Sequence, residues 1–128
     1  MKKLLLPLVT SLLLGFAIAA SAEETTLVCT SDDDNNNTFK ILIDYSHHTV
    51  QGFSSSGAPN GLRVSDVVIT DELITYRETI PDSDNYYDVK IDRTTGVESN
   101  RPCGNGTHGF SCSQHWYTSH CHKGTQQF

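Results

Sequence analysis

The residues best suited to chemistry cluster between Ser111 and Gly124. There the chain reads SCSQHWYTSHCHKG and gathers Cys112, Cys121, His115, His120 and His122. Imidazole nitrogens and thiolates are habitual ligands of Zn²⁺ and Cu²⁺, so one reading is a metal centre. On a strand, His120 and His122 would share a face about 6–7 Å apart. If Trp116 to Ser119 formed a turn, His115 would lie across from His120 and complete a triad, so Zn²⁺ or Cu²⁺ on His115, His120 and His122 is one expectation. The competing one is a crosslinked tail: both cysteines bridged, His120 and His122 on the solvent face opposite Cys121. No acidic residue within the stretch can orient the rings from behind.

Other constellations fall short. Asp32, Asp34 and Asn36 in DDDNNN alternate like the first ligands of a calcium loop, but Asn37 stands where a glycine is needed and Ile43 where the bidentate glutamate belongs. The chain contains no G-x-S-x-G, no H-E-x-x-H and no phosphate-binding glycine loop. The glycines of GNGTHG lie between Cys103 and Cys112, where they serve loop closure. Bridged cysteines are lost as nucleophiles. A protein without chemistry of its own is therefore expected. The adjacent pairs Tyr86-Tyr87 and Trp116-Tyr117 offer anchors for recognition, since aromatic side chains bury much area at low entropic cost.

The compartment is suggested by the first residues. Lys2 and Lys3 precede an apolar run from Leu4 to Ala20, and Ala20-Ser21-Ala22 has the small residues of a signal-peptidase site. Residues 1–22 are expected to be a cleaved signal peptide, leaving 23–128 as one domain, periplasmic or secreted, with no further segment able to span a membrane. The formal net charge is −6, and loss of the two leader lysines makes it −8. A field of that sign repels phosphate backbones, so nucleic acid is excluded as a partner. All four cysteines, Cys29, Cys103, Cys112 and Cys121, follow the leader. An even number in an exported chain implies two disulfides with three possible pairings. Cys103–Cys112 around a glycine-rich segment and Cys29–Cys121 between first and last strands are favoured. Loop entropy assigns about 2.7 kcal/mol to the short bridge and about 4.7 kcal/mol to the long one.

The elements that must position these residues have a period of two. Phe39, Ile41, Ile43 and Tyr45 alternate, as do Tyr87, Val89 and Ile91 against Asp88, Lys90 and Asp92. Val50, Val67, Ile69, Ile74 and Tyr76 mark further short runs, and no long segment has a helical stripe. Turns are expected at Asp32–Asn37, Ser54–Gly61 and Pro81–Asn85. At Asp92–Gly96, Gly96 should adopt the left-handed region and set Ile91 against Val97. The expected fold is all-β: a single antiparallel meander, curved or rolled into a small barrel and stapled by disulfides.

With its early Cys29, ILIDYSHHTVQG, ITYRE, YYDVKIDRTTG and the terminal Cys before KGTQQF, the chain resembles a group of small exported bacterial proteins of no assigned activity, marked by an IDR-x-T-G hairpin. The resemblance implies a β-rich exported domain and no catalytic residue. The functional expectation is a binding or accessory protein of the cell envelope that presents loops to an envelope or extracellular protein. The acidic balance favours a basic partner, such as a lysozyme-type hydrolase.

Overall fold

The computed structural model describes residues 23–124; the expected leader lies outside them. Two meanders follow one another along the chain. The first comprises β1 (Glu24–Ser31), β2 (Thr38–Asp44) and β3 (Thr49–Phe53). The second comprises β4 (Arg63–Ile69), β5 (Leu73–Thr79), β6 (Tyr86–Asp92) and β7 (Val97–Gly106), with β8 (Gly109–Cys112) folded back on the end of β7. The last strand, β9 (Tyr117–Lys123), inserts between β1 and β7, giving the order β3-β2-β1-β9-β7-β6-β5-β4. The ends of that order approach each other. Phe53 bridges Pro59, and the Asn60 amide donates to the Gly52 carbonyl at 3.0 Å. A Cβ on Gly52 would overlap the Asn60 side-chain amide, so a larger residue there would displace the hydrogen bond from that amide to Glu78. The antiparallel all-β fold is thus nearly closed into a barrel.

The alternation that predicts the strands also fills the interior. Ile41, Ile43, Val50, Ile74, Tyr76, Val89 and Ile91 form one buried cluster around Cys29. Mid-strand charges such as Arg77, Asp88, Lys90 and Arg101 occupy the alternate, outward positions. Apolar inside and charged outside is the reverse of a barrel embedded in lipid. Among the described residues no helix is long and apolar enough to cross a membrane.

Both favoured disulfides are present. Cys29 pairs with Cys121 across β1 and β9, and Cys103 with Cys112 across β7 and β8. The segment between the latter two is a hairpin, with Gly109 at φ 94° beside the turn.

Two local expectations are corrected. At the β6–β7 turn Gly96 does take a left-handed φ of 75°, and its amide donates to the Asp92 carbonyl. Ile91, however, pairs with Glu98 and not with Val97. A one-residue slip reverses which side chains enter the barrel, so Glu98 turns inward. Nor is Trp116–Ser119 a turn: β9 begins at Tyr117, because its backbone pairs with β7 from Asn100 to Val97.

The bridges span 92 and 9 residues. Replacing Cys29 and Cys121 by alanine should cost about 2 kcal/mol more than replacing Cys103 and Cys112. Urea unfolding of the two double variants measures the difference.

Candidate functional site

Of the tail histidines, His120 and His122 stand exposed on the outer face of β9, as alternation from Cys121 requires. His115 is elsewhere. It precedes β9, and its ring meets that of Tyr117 edge-on at 4.7 Å. His120 does have an acidic partner, contributed from the far end of the chain: Nδ1 lies 2.6 Å from Asp32 Oδ1, and the Thr118 hydroxyl donates to the other oxygen of the same carboxylate. The hydrogen bonds from Thr118 and then His120 hold the Asp32 pKa below its usual value, against a smaller effect of desolvation. His115, His120 and His122 do not converge on one point. Among the described residues, the set of three His, Cys, Asp or Glu side chains whose ligand atoms lie within 4.8 Å is Asp88, Cys103 and Cys112, and its two sulfurs are joined to each other.

A second constellation runs across the outer face of β5, β6 and β7. Period-two alternation brings Arg77, Asp88 and Arg101 into cross-strand register there. Arg101 Nη2 donates to Asp88 Oδ2 at 3.2 Å, and Arg77 Nε stands 3.8 Å from Oδ1. Aromatic rings interleave with the cations. The Arg77 guanidinium carbon is 3.8 Å from the Tyr86 ring centre, and Tyr86 in turn contacts Phe110 at 5.6 Å. Trp116, just before β9, receives Lys90 Nζ at 4.1 Å and the Arg101 guanidinium carbon at 4.7 Å. Such stacking holds long cationic side chains in place on flat apolar surfaces. Phe110 is 48% exposed, which leaves one end of the strip open to a partner. Three cations against two carboxylates, Asp88 and Asp66 in the same hollow, leave this strip locally positive on a chain of net charge −6. Trp116 and Tyr86 belong to the aromatic pairs that stand out in the sequence, but the cations that frame them become visible only through strand register.

The residues sequence reasoning missed are two carboxylates turned inward. Glu98 is 3% exposed and accepts a hydrogen bond from Asn100 Nδ2 at 3.0 Å. Burial pushes its pKa up to about 7; the Asn100 hydrogen bond and that of Ser119 oppose the shift, while the charge of Glu78 adds to it. Glu78 is also raised by burial, and Asn60 Nδ2 donates to its Oε2 at 2.9 Å. Desolvation, then both carboxylates, raise the neighbouring Tyr76 phenol. Raised carboxyl pKa values are what a general acid needs. Here each carboxylate is spent on an amide from the barrel wall or the closing loop, which fits a structural polar layer. The signal was available in the turn: counting Arg93–Gly96 as a four-residue loop sets Asp92 against Val97 and Glu98 beside Ile91.

Comparison of the chain with family models, with curated proteins and with solved structures finds no match.

The inward carboxylate makes stability depend on pH. A glutamate in the unfolded chain titrates near ~4.3, whereas folded Glu98 keeps its proton up to about 7. Between these values the native state binds more protons, so stability is greatest below the unfolded value and declines as pH rises through about 7, by on the order of 3 kcal/mol. Glu98→Gln should flatten that decline. Urea midpoints measured from pH 4.5 to pH 8 report it, while the lowered pKa of Asp32 acts only at more acidic pH.

Proposed function

We propose that the protein is an exported, non-catalytic binding protein of the cell envelope or extracellular space, and that it engages a partner protein through the Trp116 strip. The leader-like segment, the two disulfides and the resemblance to exported bacterial proteins support export. The observation that carries the binding reading is Trp116 framed by Lys90 and Arg101 beside Arg77 and Tyr86. Trp, Tyr and Arg are the side chains that dominate interface energetics, and here they are already held in position. Net charge alone points to a basic partner. The strip refines this: the partner's contact surface carries carboxylates, and the negative remainder of the barrel repels it in every other orientation.

A second reading is a surface Zn²⁺ or Cu²⁺ site that uses the tail histidines. The Asp32–His120 contact favours it, because a carboxylate on Nδ1 orients the ring and leaves Nε2 free for a metal. His122 shares that face, and His115 would have to swing away from Tyr117 to join.

Two experiments separate the readings. Trp116→Ala, and separately Lys90→Gln with Arg101→Gln, should weaken capture of a salt-sensitive partner from envelope extract by about 2 kcal/mol, with unchanged circular dichroism. Equal capture by variants and parent would remove the strip from consideration. For the metal reading, Zn²⁺ or Cu²⁺ should raise the Tm of the parent and not that of His120→Ala. A Tm indifferent to both ions sinks it.

A further inference from the structure

One end of the barrel carries the β2–β3 and β6–β7 turns and the end of β9, and between them opens a cavity of about 300 Å³. Its floor is the interior seen end-on: Leu27 of β1, Ile74 of β5 and Ile91 of β6. Its rim carries Arg93 and Lys123. Barrel mouths with an apolar floor and a few converging polar groups are where small ligands bind.

Charge is arranged on this rim in an unusual way. Asp92, the acid beside Arg93, accepts the Thr94 and Thr95 amides at 2.8 and 3.0 Å, an arrangement that holds its pKa low and turns its carboxylate to the backbone. Arg93 is held by neutral groups: Nη1 donates to the Thr70 carbonyl at 2.6 Å, and the guanidinium carbon is 4.8 Å from the Tyr45 ring centre. Among the described residues neither Arg93 nor Lys123 makes an ion pair. Two cations thus stand at this rim with one carboxylate, Asp92, which is turned to the backbone amides, on a chain whose acidic side chains outnumber its basic ones by fifteen to nine.

We propose that this mouth binds a medium-chain monocarboxylate, with its headgroup between Arg93 and Lys123 and its hydrocarbon tail on Leu27, Ile74 and Ile91. The headgroup gains charge-assisted hydrogen bonds from Lys123 and from the Arg93 guanidinium, which Thr70 and Tyr45 already hold in place. Size limits the tail: at roughly 30 Å³ for each water displaced, the cavity holds about ten heavy atoms, the size of octanoate. A second carboxylate on the ligand would meet the apolar floor, which selects against diacids. The site lies at the barrel end, away from the Trp116 strip on its side, so the two bind independently.

The experiment is a titration of the isotopically labelled processed protein with sodium octanoate, followed by amide NMR shifts, with octanol as the neutral counterpart. Shifts are expected at Gly96, Thr95 and Lys123. Octanol should bind about tenfold more weakly, as should octanoate to Arg93→Gln or to the exposed Lys123→Gln, because each loses one charge-assisted contact. Trp116→Ala should bind octanoate as the parent does. Octanol matching octanoate, Lys123→Gln matching the parent, shifts confined to another surface, or no shifts at millimolar octanoate would each overturn the proposal.

Discussion

The barrel depends on the seam between β1 and β9, and on the Cys29–Cys121 bridge that closes it. The two meanders, β1–β3 and β4–β7, are each continuous through short turns, but the first meets the second only weakly where β3 approaches β4. β9 is the strand that pairs with both, with β1 on one edge and β7 on the other. Fixing its register therefore fixes the curvature of the whole sheet. Cys29 is completely buried, so the bridge also contributes to the core it encloses. The short Cys103–Cys112 bridge has a more local task, holding β8 along β7 so that Phe110 can reach Tyr86.

Inside that seam the barrel is not uniformly apolar. Glu98 lies directly across from Ile91, itself paired with Ile74, and Glu78 turns inward further along β5; Asn100 and Asn60 each donate to one of these carboxylates. Satisfied polar layers specify register, because any slip leaves amides or carboxylates unpaired. Asn60 shows the same logic at the closure: its side-chain Nδ2 donates to Glu78, its backbone amide donates to Gly52, and its side-chain Oδ1 accepts the Leu62 amide. One residue thus ties the long β3–β4 connection to the interior.

The strand pattern was legible because Ile41, Ile43, Val89 and Ile91 alternate with charged or polar neighbours and no helical period competes. The disulfide pairing was legible because glycines surround one pair and the other joins the first and last strands. Parity across a turn was not. The five residues from Asp92 to Gly96 close with the Gly96 amide on the Asp92 carbonyl, and that offset of one decides whether Val97 or Glu98 enters the core. Contacts between distant segments were equally hidden. Asp32 and His120 are 88 residues apart, and only the β1–β9 pairing brings them together. The cation–aromatic strip likewise requires the register of three strands plus Trp116, while Arg93 and Lys123 share a rim because β6 and β9 end on the same side.

The late arrival of β9 has a temporal consequence. Until residues 117–123 are available, β1 has one free edge and β7 another, and neither meander can bury both of its flanks. Loop-closure entropy for a 92-residue separation must be met before the seam rewards it. Folding of this chain is thereby coupled to its completion: neither meander is sealed until the last strand joins both and zips the barrel shut.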